Sequence, residues 1–275
     1  MSRNKVEIKY MDFTIQLGER KDKHQFIHNR AAFAQVFLAG NYNPLLKHIK
    51  YGDIVIDAGA NIGMFSLLAS RRVGSEGKVI AVEPQKDNFN FLEQNIRINR
   101  LKNIRTINKA LYSEDDQVLG FEGNGVSGHI SSKNSENLVS SISLRSIVSE
   151  LSDQNFWVKM DIEGGEEFVF ALNQDLSYLD KMNGIAYEIH SLNGLVLLND
   201  QLVKLGLIPS KVFYENDYVH NIWKGFLKHP VVFISLYRGS LLNLAVRVSK
   251  TRCFSSEPNS NFEPGMQYAW RDHFV

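Results

Sequence analysis

GDIVIDAGANIGMFS, residues 52 to 66, is the stretch whose reading decides the fold. An apolar run, Ile54 to Ile56, ends in Asp57, a turn carrying Gly59 and Gly63 follows, and an apolar helical pattern begins at Ile62. A strand, a glycine turn and a helix N-terminus in that order bring backbone N–H groups up to a ligand, and glycine removes the Cβ atoms that would block the approach. A dinucleotide site would read G-x-G-x-x-G after the strand, with a pyrophosphate resting on the helix end. Here a carboxylate, Asp57, stands where such binders place glycine. An anion in that position repels a diphosphate and suits a cationic or hydroxyl-rich ligand.

Outward from this turn the same rhythm repeats. KVIAVEP (78 to 84) reads as a second strand ending in Glu83, whose carboxylate can accept hydrogen bonds from both ribose hydroxyls of a nucleoside. Phe89, Leu92, Ile96 and Asn99 recur at helical spacing over 86 to 99, and NIRTINKAL (103 to 111) reads as a third strand. Two βαβ steps within about 55 residues predict a doubly wound, mostly parallel α/β sheet with helices on both faces. Residues 112 to 140, rich in Gly, Ser and Asn, read as an inserted hairpin or a loop, and Ser143 as the cap of a helix over 143 to 151. Stretches 156 to 173 and 184 to 206 repeat strand, turn and helix, and 207 to 214 and 230 to 237 are expected to close the sheet. A helical extension, split near Gly40 and Pro44, precedes the first strand. The organisation expected is an extension over 1–50, a core over 51–220 and a closing segment over 221–275.

The chain has 275 residues, 31 Lys and Arg against 30 Asp and Glu, and one cysteine, Cys253. A lone cysteine forbids an internal disulfide framework or a cysteine-cluster zinc site and suits a reducing, cytoplasmic setting. The near-neutral total argues against nucleic acid as a partner. By region the balance is +5 over 1–50, −8 over 51–220 and +4 over 221–275. The basic ends are either solvated surface or faces for an acidic substrate or a second copy of the chain, which would make a homo-oligomer. The N-terminus lacks the apolar stretch of a secretory signal. No run of about 18 apolar residues predicts a transmembrane segment, since the nearest, 231 to 248, is broken by Arg238, Gly239, Ser240, Asn243 and Arg247.

Two further constellations carry chemistry. In KMDIEGGE, Lys159 to Glu166, alternate residues of a strand share a face, so Lys159, Asp161 and Glu163 point one way and Met160 and Ile162 the other. In an open parallel sheet ligands bind beyond the carboxyl ends of the strands, where Asp161 is placed to face a reacting group. Glu166 and Glu167 read as acids in the first turn of the following helix. In YEIH, Glu188 and His190 are likewise two apart at the end of the next strand. A histidine titrating near neutrality is a natural general base, and Asp161 is the competing one. Asp161, Glu163, Glu188 and His190 could together hold one hard divalent cation, an alternative not favoured because no local metal-binding motif supports it. Phe213, Tyr214, Tyr218 and Trp223 read as core before acceptor pocket, and His129 as incidental before lid.

These motifs resemble those of class I S-adenosylmethionine-dependent methyltransferases, and of the FkbM family in particular. The resemblance rests on GDIVIDAGANIGMFS, VIAVEP (79 to 84), LEQNIRIN (92 to 99), KALYS (109 to 113), SLRSIV (143 to 148), VKMDIEGGE (158 to 166) and YEIH (187 to 190). It implies a seven-stranded methyltransferase sheet, S-adenosylmethionine as donor and S-adenosylhomocysteine as product. It also implies O-methylation of a hydroxyl on a sugar, glycan, polyketide or related small-molecule acceptor. Carried over by motif, Asp57, Gly59, Asn61 and Gly63 line the methionine and ribose end, Glu83 binds the ribose, and Asn108 and Ala110 meet the adenine. Asp161, Glu188 and His190 are the catalytic candidates. Arg145, Gly165 and Gln85 depart from the family's usual Asp, Ala and small or apolar residue, which bears on substrate and loop geometry rather than on the donor turn. N-methylation is disfavoured by the missing N-P-P-Y-like turn, NAD-dependent oxidoreduction by Asp57, and a binding module without turnover by the presence of Asp161 and His190.

Overall fold

The computed structural model describes residues 5–19, 22–122, 129–131, 137–163, 165–170, 175–214 and 265–271. β1 (Lys5–Tyr10) and β2 (Phe13–Glu19) form an antiparallel hairpin, which a purely helical N-terminal extension did not foresee. α1 (Lys23–Phe33) runs directly into a π-helical turn, Ala34–Ala39, ended by Gly40 in the left-handed region. α2 (Asn43–Leu46) follows with Pro44 in its first turn, where no N–H is missed.

The chain then alternates through β3 (Ile54–Ala58), α3 (Met64–Val73), β4 (Lys78–Val82), α4 (Lys86–Ile98) and β5 (Ile104–Ile107). The expected third strand is divided at Asn108, and its second part is β6 (Ala110–Tyr112). β7 (Val118–Glu122), β8 (His129–Ser131) and β9 (Leu138–Ser143) join β6 in a small separate sheet, the inserted-hairpin reading of 112 to 140. Ser143 caps α5 (Leu144–Ser149) by accepting from the N–H of Ser146. β10 (Phe156–Met160), α6 (Glu166–Val169), β11 (Met182–Ile189), α7 (Leu192–Lys204), β12 (Leu207–Pro209), β13 (Phe213–Tyr214) and β14 (Gly265–Arg271) complete the described chain.

Seven strands form the central sheet in the order β12-β14-β11-β10-β3-β4-β5, with β13 beside β14. β14 alone runs against the others. The closing strand is therefore residues 265–271, in a stretch where the sequence showed no motif; the one expected over 230 to 237 lies outside the described residues.

All five residues of β3 are buried, as a parallel strand covered on both faces requires. Ile54, Ile56 and Ala58 face a layer with Leu144, Ile147, Leu198 and Leu202. Val55, Trp157, Ala186 and Tyr268 face the opposite layer, built from the hairpin, α1, the π-helical turn and α3 through Ile15, Leu17, Phe33 and Phe65. By strand alternation Asp57, Lys159 and Glu188 belong to that second face. Asn95 ties α4 to it, accepting from the N–H of Gln16 at 2.7 Å and donating to the carbonyl of Ile62 at 2.8 Å, and Asn99 brackets both backbone groups of Thr14. Within the predicted stripe Leu92 is fully buried, whereas Asn99 acts as this bracket rather than as packing. Among the described residues no helix is long and apolar enough to cross a membrane.

Candidate active site

The turn after β3 is fixed by backbone conformation. Gly59 (φ 72°) passes so close to β10 that a Cβ would lie 1.8 Å from the carbonyl oxygen of Asp161. Asn61 (φ 52°) takes a left-handed conformation that asparagine tolerates better than most residues, and its N–H donates to Glu83 Oε2 at 2.8 Å. The N–H of Gln85 donates to Glu83 Oε1 at 2.9 Å. Glu83 is 5% exposed, and burial pushes its carboxyl up to about 7 despite these two bonds and the nearby Lys159.

Gly59, Ala60, Asn61, Glu83, Pro84, Gln85, Ala110 and Leu111 line one part of a cleft of about 140 Å³, with Lys159, Asp161, Ile162, Glu163 and Glu188 on another. A third wall, including Gln35, Val36, Asn41 and Tyr42, comes from the segment before β3. Asp57 stands apart from these walls. It is fully buried beneath the turn, where it accepts from Ser66 Oγ at 2.5 Å and lies 3.4 Å from Lys159 Nζ. Lys159 itself, 3% exposed, donates to the carbonyl oxygens of Gly59 at 2.6 Å and Ala58 at 3.2 Å and lies 3.6 Å from Asp161 Oδ2. One ammonium thus neutralises an aspartate on each of two adjacent strands.

Asp161 also accepts from the Tyr42 hydroxyl at 2.9 Å. Burial opposes its ionisation, but Lys159, a hydrogen bond with Glu188, His190 and Tyr42 together hold it below the usual carboxylate range. Burial and the Asp161 charge push Glu188 well above that range. The two carboxyls titrate as a linked pair, with Asp161 shifted down and Glu188 shifted up.

His190 lies outside the cleft lining, its Nε2 3.4 Å from Glu163 and its Nδ1 3.4 Å from Glu166. Burial works against its cation, but Glu166, Glu163 and Glu188 outweigh that and raise it well above an ordinary histidine. Asp161, Glu163 and His190 each bring one oxygen or nitrogen within 4.8 Å of the others, although Tyr42 and Lys159 engage Asp161 and the two glutamates engage His190.

A family model described as the methyltransferase FkbM domain matches residues 57–202, more than half of the chain. The chain belongs to the FkbM methyltransferase family. This FkbM protein is an S-adenosylmethionine-dependent methyltransferase. No protein of curated function matches its sequence. Among solved structures it is similar to a SAM-dependent methyltransferase from Aquifex aeolicus, at 15% identity over 67% of this chain and 92% of that one, TM-score 0.37. A SAM-dependent O-methyltransferase from Thermotoga maritima matches at 12% identity over 85% and 64%, TM-score 0.40. An rRNA methylase from Streptococcus thermophilus matches at 9% over 84% and 93%, TM-score 0.42. This last comparison corrects the expectation that nucleic acid is excluded as a partner. The expectation rested on net charge, which sums over the whole surface and says nothing of the walls of one cleft.

In the FkbM protein, six of the candidate residues meet in one cleft: Gly59, Asn61, Glu83, Ala110, Asp161 and Glu188. Asp57 and Asn108 support it from behind, Asn108 by donating to the carbonyls of Glu83 and Pro84 at 2.8 and 3.0 Å. Gly63 (φ 91°) opens α3, where a Cβ would meet Leu92 at 2.7 Å. Phe213 packs edge-on against Tyr268, a core contact. Tyr218, Trp223 and Cys253, and the side chain of His129, lie outside the described residues. Arg145 reaches Asp175 at 3.2 Å and stacks over Tyr178. Lys159 and Tyr42 are the site residues whose roles the sequence did not announce. A lysine inside an apolar strand is a readable signal, because burying its charge demands a partner; a lone tyrosine between a glycine and a proline is not.

Proposed function

We propose that this protein methylates a hydroxyl of a sugar, glycan, polyketide or related metabolite, with Asp161 as the base that accepts the hydroxyl proton. The observation that carries the reading is the Asp161 carboxylate lining the cleft beside the turn after β3, with the Tyr42 hydroxyl at 2.9 Å and the Lys159 ammonium at 3.6 Å from its Oδ2. His190 is supported less well as base, because it lies outside the cleft lining, between Glu163 and Glu166, whose charges favour its protonated form.

The donor chemistry of the walls fits the methyl donor. Each Glu83 oxygen accepts one backbone N–H and keeps capacity for another donor, as a ribose diol would supply. Ala110 and Leu111 offer apolar contact for the adenine, and the Gly59 to Asn61 backbone approaches the remainder. S-adenosylmethionine supplies an electrophilic methyl on a positively charged sulfur. Asp161 takes the proton as the acceptor oxygen bonds to that methyl, the carbon–sulfur bond breaks, and its electron pair stays on sulfur. Lys159 holds the donor turn and Asp161 in one frame, so that part of the barrier is met by alignment.

Calorimetry with S-adenosylmethionine, S-adenosylhomocysteine and NAD, followed by a screen of hydroxyl-bearing metabolites and glycans with labelled donor, tests the reading. Both sulfur nucleosides are expected to bind and NAD to fail. Asp161→Asn is expected to keep donor binding and slow transfer by roughly 10² to 10⁴. Transfer by Asp161→Asn at the wild-type rate would overturn the base assignment, and loss of transfer on chelation would make the reaction metal-assisted.

A further inference from the structure

The segment before β3 reaches the centre of the site through Tyr42. It descends as α1 and the π-helical turn, reverses at Gly40, and Tyr42 then enters the cleft 6% exposed. Its ring stands edge-on to Phe65 at 5.1 Å, and the carbonyl of the preceding Asn41 accepts from the hydroxyl of Tyr268 on β14. Its backbone is thus pinned to the sheet, and its hydroxyl points at Asp161 Oδ2.

We infer that Tyr42 is a positioning residue of the transferase site, whose hydroxyl, donated to Oδ2, fixes the direction of the Asp161 carboxylate toward the acceptor. The inference rests on Asp161 as the base. A carboxylate at a strand end rotates about its last bond unless both its direction and its charge are held, and hydrogen bonds to it favour the ionised form. Among the described residues, the groups facing Asp161 are Lys159 from β10, Glu188 and His190 from β11 and its end, and Tyr42 from the N-terminal segment; Glu163 lies two residues on and Asp57 beyond Lys159. Of these, Tyr42 alone comes from outside the sheet and its turns. Burial and the surrounding acids, Asp161, Glu188 and Asp57, raise its phenol well above the ordinary tyrosine value, so it stays a donor across the working pH range.

The test uses the full chain bound to S-adenosylhomocysteine, labelled with ¹³C at the aspartate carboxyl carbons. The Asp161 resonance is assigned by its absence in Asp161→Asn. Tyr42→Phe, which keeps the ring, is expected to raise the Asp161 titration midpoint by about one pH unit and to leave S-adenosylhomocysteine affinity within a factor of about two. With a hydroxyl acceptor from the screen, kcat is expected to fall roughly tenfold to a hundredfold, as for a lost hydrogen bond to an ionised group. A second measurement needs no variant at position 42: a ¹³C-tyrosine resonance of the wild-type protein should move at the Asp161 midpoint and lose that response in Asp161→Asn. An unmoved Asp161 midpoint in Tyr42→Phe, or a tyrosine spectrum blind to Asp161, overturns the inference alone. Wild-type transfer by Asp161→Asn overturns the base assignment and this inference with it.

Discussion

Glu83 combines two demands that oppose each other. On the proposed reading it meets a nucleoside from a buried position, and burial lifts its carboxyl to about 7. On the proposed reading two ribose hydroxyls donate to it, which favours the carboxylate and lowers its value in the complex. Binding therefore releases a proton as pH falls below about 7. Affinity for S-adenosylhomocysteine should be level above that pH and fall by up to about tenfold per unit below it. Calorimetry from pH 5.5 to 8 reads this directly. Glu83→Gln should bind about ten- to a hundredfold more weakly at pH 8 and show a flat profile; a sloping profile in that variant would assign the pH dependence to another group.

Among the elements, α4 holds the architecture at an unexpected angle. Its most buried polar residue, Asn95, satisfies Gln16 of the hairpin and Ile62 of the donor turn at once. Asn95→Ala leaves two carbonyls and one N–H short of a partner, a cost of about 3 kcal/mol if only half of each group's desolvation penalty is felt. A urea denaturation midpoint should fall accordingly, and hydrogen exchange in β2 should quicken. The strands β3, β4, β10 and β11 were legible in the sequence because parallel strands buried on both faces read as unbroken apolar runs. Their ends, with Glu83, Asp161 and Glu188, followed from that. The hairpin was only half legible: its six- and seven-residue strands carry the apolar and polar alternation of half-buried strands, but Met11–Asp12 between them lacks the glycine that marks a hairpin turn. Tyr42 was not legible, because its meaning comes from a residue 119 positions away.

The molecule as a whole depends on both of its flanks. Ile8, Phe13, Ile15 and Leu17 of the hairpin are all buried, and at about 1.5 to 3 kcal/mol each they contribute roughly 6 to 12 kcal/mol, comparable to the whole net stability of a typical domain. A chain starting at residue 22 should therefore give no cooperative transition in scanning calorimetry and bind no S-adenosylhomocysteine. A sharp transition near the full-length Tm would show that the hairpin is an appendage.

β14 carries the corresponding consequence at the other flank. It is wedged antiparallel between β11 and β12, and the partners Tyr187 and Gln267 stand 80 positions apart. While the chain is being synthesised, the turn after β3 and the ends of β10 and β11 emerge first, and the edge of β11 waits for its described partner, β14, until residue 271 is free. For that interval the nascent protein exposes an open, apolar strand edge of the kind that recruits other chains. The cleft is thus written early and sealed late, and protecting that waiting edge during synthesis becomes part of what folding this chain requires.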